Sequence, residues 1–522
     1  MFTPGLQLSP GVKKGPFGPF LFYLPVVAIE FMFANGRAVP GSTIPPEATQ
    51  PTSRLERVLF YSLLTLLFWL PIPLGSHRPW AWAFMEVWVF AMMAGWLLSN
   101  LRTPRWQSLK PYWPLLAIFG VFQLWICIQQ IPLPIGLLKS IAPTTAAAFL
   151  AADPDLTAAT LSFDPNQTHV SLIKGISYWC ILFLLLALID NPKRLRTLGW
   201  VVVLTGTFQA FYGVMLALSG SETTWVLGFP NNTIATGGFR YKNHFGNFLV
   251  MCLCLGIGLL IASLSGSSGG KLKDRLNNIV NMLLGGKAVL RLCLAMMVIG
   301  LVMSHSRMAN TAFFASLSIA GALGLLLIRN KSRSLTILLA SLMVIDLMIV
   351  GSWFGVDKLR QEIEETSFTK ETRDEVNQYG MTLIEQHPLS GTGAGSFYSS
   401  FPSVQGPGIN GFYDLAHNDY LQFAIEYGVP AALLLGTAVL WSLYHAFVAL
   451  RTRRDSLMQG LAFATLMAIV AELIMLTTDF HLQAPATSIY FLMMLGLAWK
   501  ARFMESTGQT NARRFRHHIK IS

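Results

Sequence analysis

The residue in this sequence most suited to chemistry is His417, in the run His417-Asn418-Asp419-Tyr420. A neutral histidine can take a proton from a hydroxyl group near neutral pH and act as a general base. Asp414 lies three residues before it. A histidine that caps a helix, or that is satisfied by nearby carboxylates, is the structural alternative. The residues by themselves favour neither interpretation.

Two arginines are candidates for binding phosphate. Arg240 lies at the start of an apolar segment, and Arg307 lies in a very short turn between two others. A guanidinium group keeps its charge and grips a phosphate through two donors. Together with Lys242, the two arginines suit a diphosphate better than a single phosphate. Snorkelling to lipid headgroups is the alternative role for Arg307.

The composition determines the class of protein that must position these residues. Mean hydropathy is +0.50, and only 12% of the residues are charged. Apolar runs of about 18–22 residues recur along the chain, and each is long enough to cross a hydrocarbon core of about 30 Å. We therefore predict an all-α polytopic membrane protein with about 12 transmembrane helices. The helices begin near Val58, Ala81, Tyr112, Ser171, Leu198, His244, Val289, Thr311, Leu335, Val429, Leu457 and Ser488.

Five segments follow from this pattern. They are a cytoplasmic or interfacial N-terminal segment (1–57), the spans 58–354, a large polar loop (355–427), the last spans (428–500) and a basic cytoplasmic tail (501–522). We interpret residues 17–34 as an interfacial or re-entrant helix, with a full span as the alternative. No cleavable signal peptide is expected, because no short apolar core precedes a small-residue cleavage site.

Lysine and arginine placement predicts the orientation. Most of the 38 Lys and Arg residues fall on one side if the N-terminus is cytoplasmic, as the positive-inside rule requires. The net charge of +12 then follows the anionic inner leaflet, and no nucleic-acid partner is expected. The same orientation puts four polar segments outside. They are 134–169, 220–243, 304–307 and 355–427.

The sequence around His417 resembles the histidine motif of the bacterial O-antigen ligase and O-antigen polymerase superfamily. His417-Asn418 is followed by Gly428, with Ala431 where the family pattern often has Gly, Thr or Val. The amino-acid sequences of several segments most resemble those of surface-polysaccharide polymerases. Those segments are 238–245, 304–307, 391–402 and 416–422.

The resemblance implies a GT-C-like, inverting and metal-independent glycosyltransferase in the bacterial inner membrane, with its active site facing the periplasm. Its donor would be a glycan on undecaprenyl diphosphate. The implied roles are activation of the acceptor hydroxyl by His417 and binding of the diphosphate by Arg240 and Arg307. A chain-length regulator is a further expected partner, and no cofactor is expected. Substrate contacts are predicted for Lys242, Asn243, His244, His305, Asn418 and Tyr420.

Three alternatives stay open. Asp153 and Asp155 form an acidic pair in an outer segment, a weak signal for a divalent metal. In a polymerase the acceptor is a second lipid-linked glycan, and the sequence of the loop favours this alternative. In a ligase the acceptor is lipid A core. A third branch of the superfamily glycosylates proteins. A flippase or transporter is the alternative of a different class, although repeat symmetry typical of transporters is not evident.

Overall fold

The computed structural model describes residues 53–101, 106–231, 234–264, 286–328, 336–337, 340–341, 373–409 and 411–505. Helices make up most of these residues, and a two-stranded antiparallel sheet pairs β1 (Leu133–Pro134) with β2 (Ala158–Ala159). The helices are α1 (Arg54–Trp69), α2 (Pro79–Asn100), α3 (Trp113–Gln129), α4 (Ile135–Ile141), α5 (Pro143–Ala152), α6 (Pro165–Leu188), α7 (Pro192–Leu218), α8 (Lys242–Leu264), α9 (Gly286–Met303), α10 (Arg307–Leu327), α11 (Arg373–Gln386), α12 (Phe397–Ser400), α13 (Asp419–Tyr427), α14 (Val429–Thr452), α15 (Ser456–Met475) and α16 (Pro485–Phe503). Segments of 3-10 helix lie at Leu74–Ser76, Trp106–Tyr112, Phe401–Ser403 and His481–Gln483.

Nine helical segments in the described part of the chain are long and apolar enough to cross a membrane. The protein is therefore an all-α, multi-pass membrane protein. The nine are α2, Trp106–Gln129 (which includes α3), α6, α7, α8, α9, α10, α14 and α15.

The predicted total of about 12 spans is not confirmed. Helices form near Val58 and Ser488 as predicted, but neither α1 nor α16 is among the nine. The 16 residues of α1 extend about 24 Å, which is short of a core about 30 Å thick. The span predicted near Leu335 begins outside the described residues. Residues 17–34 and most of the basic tail also lie outside them.

A close pair of helices, α8 and α15, forms the buried centre of the bundle. In each of these helices, 78% of the 18-residue apolar stretch is buried. Gly258 and Gly460 face each other, and a Cβ atom on Gly258 would lie 2.4 Å from the carbonyl oxygen of Gly460. Small residues let helices approach closely where no hydrophobic effect drives them together. This contact fixes the position of α8 relative to the turn that follows α15.

The glycine-rich turn at 391–395 packs its backbone against the bundle. Gln129 at the end of α3 donates from Nε2 to the carbonyl of Ser390 (2.8 Å) and accepts at Oε1 from the N–H of Ala394 (3.2 Å). Gly391 has φ +64°, and a Cβ atom there would lie 2.4 Å from the carbonyl oxygen of Glu426. These are the contacts of a packing turn, and they fix the distance between this loop and α13.

Candidate active site

His417 is held in a strained turn just before α13. Its φ is +53°, in the left-handed region that few non-glycine residues adopt. Asn418 caps the helix, because its Oδ1 accepts from the N–H groups of Tyr420 (3.1 Å) and Leu421 (3.2 Å). The His417 side chain is 22% exposed, so its ring is accessible to a solute. The turn therefore presents the imidazole at the end of the bundle.

Asp479 is the partner of His417. Its Oδ1 lies 3.1 Å from Nδ1 of the histidine, and its side chain is buried. Burial alone would raise the pKa of Asp479, yet hydrogen bonds from His417 and Asn243 hold that pKa well below its usual range. The carboxylate is therefore ionised at neutral pH and can only accept, so Nδ1 of His417 carries the proton. Nε2 is left as the proton acceptor of the ring.

A chain of hydrogen bonds links this pair to two transmembrane helices. Nδ2 of Asn243, in the first turn of α8, donates to Oδ2 of Asp479. Oδ1 of Asn243 accepts from the hydroxyl of Ser306 (2.8 Å), which lies just before α10. We call His417, Asp479, Asn243 and Ser306 the Asp479 network. It brings together four sequence segments that are far apart in the chain.

Asp419 locks the turn that carries Asp479 against the start of α13. Its backbone N–H donates to the carbonyl of Leu476 (3.1 Å), and its Oδ2 accepts from the N–H of Leu482 (2.9 Å). Burial raises the pKa of Asp419 to about 7. Since these bonds fix both ends of turn 476–482, they set the separation between His417 and Asp479.

The Asp479 network has predicted cations at its edge. Arg240 lies three residues before Asn243, and Arg307 follows Ser306 directly. Both arginines are exposed, as is Lys242 at the start of α8. The three predicted cations thus lie within three residues, along the chain, of Asn243 or Ser306.

The turn at residues 71–78, which ends at Arg78, packs against the turn that precedes Arg240. A Cβ atom on Gly75 would lie 2.6 Å from the ring of Phe239, and one on Gly238 would lie 2.6 Å from the carbonyl oxygen of Pro71. Turn 71–78 is therefore pressed against the segment that ends at Arg240. In the described residues, the non-glycine positions with positive φ are Leu74, Ser76, His305 and His417, so strained backbone concentrates around this site.

His77 lies among these cations. Burial lowers the pKa of His77, the charges of Lys174, Arg78 and Arg240 lower it further, and Asp414 acts in the opposite direction. Its ring centroid is 6.5 Å from that of His244. Nothing in the sequence pattern singled out His77, Arg78 or Lys174, because they lie in α6 and in an ordinary-looking turn before α2.

The other predicted substrate contacts lie in varied surroundings. His244 is 3% exposed, and its Nε2 donates to the carbonyl of Phe480 (3.1 Å). His305 is exposed in the strained turn before Ser306. The hydroxyl of Tyr420 donates to the carbonyl of Leu473 (2.8 Å). His244 thus holds the turn after α15 through this hydrogen bond, whereas the side chains of His305 and Tyr420 are exposed.

The predicted acidic pair forms a local turn. Oδ1 of Asp153 accepts from the backbone N–H of Asp155 (3.1 Å), so this carboxylate is engaged in fixing the backbone after α5. Among the described residues, no group of three or more His, Cys, Asp or Glu side chains is arranged to hold a metal ion.

Glu426 gives the glycine-rich turn a dependence on pH. Burial raises the pKa of Glu426 to about 7, although the N–H of Gly395 (2.9 Å) and Nε2 of Gln422 (2.6 Å) donate to it. An unfolded glutamate ionises near pH 4.3, so folding takes up a proton between about pH 4.3 and 7. Stability should fall as pH rises through this window, by up to about 3 kcal/mol from this one group.

Thermal unfolding of the purified protein between pH 4 and 8 checks this expectation. Glu426→Gln should flatten the decline in Tm, since it cannot ionise. The exposed Glu385 supplies the matched control, and Glu385→Gln should follow the wild-type curve. A Glu426→Gln curve that runs parallel to wild type would show that Glu426 does not titrate in this window.

Comparison with known proteins agrees with the motif. Residues 292–436 match a family model described as O-antigen ligase. The matched region contains both Arg307 and His417. The match confirms the resemblance to the O-antigen ligase and polymerase superfamily. No curated protein matches the sequence significantly.

Proposed function

We propose that this protein, which carries an O-antigen ligase domain over residues 292–436, is an inverting membrane glycosyltransferase. It transfers a glycan from an undecaprenyl-diphosphate donor to a sugar hydroxyl of an acceptor at the periplasmic face of the inner membrane. The observation that carries the proposal is the His417–Asp479 pair, which Asn243 and Ser306 connect to the segments that carry the exposed cations. That arrangement supplies a base for the acceptor and a counter-charge for the leaving group.

His417 is the general base of the reaction. Nε2 takes the proton of the acceptor hydroxyl as the oxygen attacks the anomeric carbon of the donor. The ionised Asp479 accepts from Nδ1–H (3.1 Å), so it holds the tautomer and stabilises the imidazolium that forms. Asn243 in turn fixes the carboxylate through its own hydrogen bond.

Arg240, Lys242 and Arg307 stabilise the departing diphosphate. As the new bond to the acceptor oxygen forms, the bond from the anomeric carbon to the diphosphate oxygen breaks, and its electron pair leaves with the phosphate. Fixed cations at the place where this charge develops lower the barrier. Since attack comes from the face opposite the leaving group, the configuration inverts. Three protein cations provide this charge stabilisation without a metal ion.

The position of His417 favours a transferase over a transporter. A transport role would place ionisable groups within the bundle, near the bilayer midplane. His417 is instead 22% exposed and is tied through Asp479 and Asn243 to the segments that carry Arg240 and Arg307. A base and cations collected at one end of the bundle suit a reaction at the membrane surface.

Two acceptors suit this chemistry. A second lipid-linked glycan would make the protein a surface-polysaccharide polymerase, which the wording of residues 391–402 and 416–422 favours. Lipid A core would make it an O-antigen ligase, which the description of the matched family favours. The donor, the base and the cations are the same in both reactions.

An acceptor assay separates the two and tests the proposal. Purified protein in EDTA is given a polyprenyl-diphosphate oligosaccharide alone, or the same donor with lipid A core. Longer lipid-linked glycans from the donor alone identify a polymerase, and transfer only in the presence of lipid A core identifies a ligase. If neither mixture yields a transfer product, or if EDTA abolishes transfer, the proposed reaction is wrong.

A further inference from the structure

A buried acid and a buried amide join α8 to α15 one helical turn away from the Asp479 network. Nδ2 of Asn247 donates to Oε2 of Glu472 (2.7 Å), and both side chains are fully buried. Asn247 follows Asn243 by one turn of α8, and Glu472 lies in the last turn of α15, shortly before Asp479. Since residues four apart share one face of a helix, these two asparagines of α8 hold two acids at the end of α15. We call Asn247 and Glu472 the acid–amide pair.

Two oxygen atoms of the acid–amide pair have no partner among the described residues. They are Oε1 of Glu472 and Oδ1 of Asn247, and both are buried. Nδ2 of Asn247 also donates to Sδ of Met475 (3.7 Å), so the amide has no further hydrogen to offer. Buried polar atoms nearly always have a hydrogen-bond partner, and an exception requires an explanation.

An ionised Glu472 does not suit these surroundings. None of the salt bridges in the described part of the chain includes it, and a carboxylate would have one donor for its two oxygens. Because a buried charge without a counter-charge is unfavourable, such a group keeps its proton. A neutral carboxyl group is a donor as well as an acceptor, so it can satisfy the amide oxygen that has no partner.

We propose that Glu472 is protonated and that its Oε1–H donates to Oδ1 of Asn247, so that two hydrogen bonds close the acid–amide pair and position the Asp479 network. In the closed pair each group donates once to the other and accepts once from it. One proton thus accounts for both unpaired oxygens.

The closed pair determines the register of the two central helices at their outer ends. Gly258 and Gly460 bring α8 and α15 together about three helical turns from Asn247, but a contact between glycines has no direction. The side-chain hydrogen bonds that the described residues show between α8 and α15 both come from Asn247. The acid–amide pair is therefore the directional contact that aligns these helices near the site.

The alignment reaches the general base through Asn243. This residue, one turn from Asn247, donates to the carboxylate of Asp479, which in turn accepts from His417. A shift of α8 along α15 would therefore move the carboxylate away from the imidazole. Asn247 and Glu472 are accordingly positioning residues, and this consequence rests on the proposed function.

Infrared spectroscopy of the purified full-length protein at neutral pH tests the protonation. A protonated carboxyl group has a C=O stretching band that is separate from the bands of carboxylates and backbone amides. The difference spectrum between wild type and Glu472→Gln should contain this band, and the band should shift in D₂O. Glu385→Gln, at an exposed position, should remove a carboxylate band instead. If Glu472→Gln also removes a carboxylate band, Glu472 is ionised and the proposal is overturned.

Turnover with a saturating lipid-linked donor tests the positioning role. Glu472→Leu should lower kcat about tenfold to a hundredfold with little change in KM, because a small displacement of a reacting group is costly. Glu472→Gln should keep the wild-type kcat, since its amide accepts and donates at the same two places. Thr465→Val is the control, because this buried threonine of α15 donates to carbonyls of its own helix, and it should turn over like wild type.

A double variant separates positioning from folding. Glu472→Leu leaves the Asn247 amide unpaired and should lower Tm, whereas adding Asn247→Leu removes that amide, so Tm should recover while kcat stays low. The positioning role is overturned if Glu472→Gln is as slow as Glu472→Leu, or if the double variant regains the wild-type kcat together with its Tm. The proposed function can fail separately. The infrared band needs no substrate, so wild type that shows the band but transfers no glycan would remove the reaction and leave the closed pair standing.

Discussion

Replacing His417 with alanine is expected to lower the rate of glycan transfer by about 10²–10⁴-fold, the usual contribution of a general base. The loss should appear in kcat, because the base acts on the acceptor proton in the transition state. The protein should remain folded, since the His417 ring is partly exposed and its side chain bonds one partner, Asp479. Turnover with a saturating lipid-linked donor measures the effect.

Asp479 should behave as part of the same unit. Asp479→Asn leaves one oxygen and one NH2 group where two acceptors stood, so either His417 or Asn243 loses its acceptor. Because groups that act together are not additive, the His417→Ala, Asp479→Asn double variant should be no slower than His417→Ala.

The matched control for this pair is His169, an exposed histidine whose Nδ1 lies 3.2 Å from Oε1 of Gln130. His169→Ala should retain wild-type turnover. Additive losses in the double variant would contradict a base that depends on Asp479, and would leave the carboxylate with a structural role only.

Removing Arg307 or Arg240 is the second large effect that we expect. Each Ala variant should lose about 10²–10³-fold in kcat, the range measured when one preorganised donor to a developing negative charge is deleted. Lysine in place of either arginine should recover part of the rate, because it keeps the charge but not the two-donor geometry. Both rates are measured with the same donor and acceptor as wild type.

An arginine at a different helix end is the control for net charge. Arg196 is exposed near the start of α7, and Arg196→Ala should leave kcat unchanged. If Arg307→Ala and Arg240→Ala changed KM alone, the arginines would bind ground state and transition state equally well. The assignment to the leaving group would then fail.

The segments that carry the candidate site were predictable from residue types, whereas the hydrogen bonds that join these segments were not. His417, Arg240 and Arg307 stand out because charged and polar residues are rare in this sequence and flank apolar runs. Asp479 lies 62 residues after His417, in a short turn between α15 and α16, where a single acid looks like an ordinary turn residue. Its role depends on α8 and α15 packing closely, which no local pattern reveals.

His77 and Arg78 were missed for a related reason. The turn before α2 is brought to Arg240 by contacts of Gly75 and Gly238 with the opposite segment, and these depend on tertiary packing. An acid or a histidine in a short turn between two apolar runs is the signal that would have identified Asp479 and His77. The same signal draws attention to His481, which is fully buried beside Asp479.

Apolar run length predicted most helix positions but not the number of spans. The runs near Ala81, Leu198 and Leu457 became long helices because apolar composition and length together determine a span. The run near Val58 has the right composition, yet its helix ends at Trp69, just before the Pro71 and Pro73 of the strained turn. Proline ends a helix, and a count of spans that is based on hydropathy alone does not take this into account.

Chemical rescue of His417→Ala by imidazole tests the central claim most directly. Purified variant is given a polyprenyl-diphosphate oligosaccharide, its acceptor, EDTA and increasing imidazole. If His417 is the general base, the transfer rate should rise with the concentration of neutral imidazole and follow its titration with pH. If His417→Ala turns over like wild type, or if the cationic form of imidazole drives the recovery, His417 is not the base.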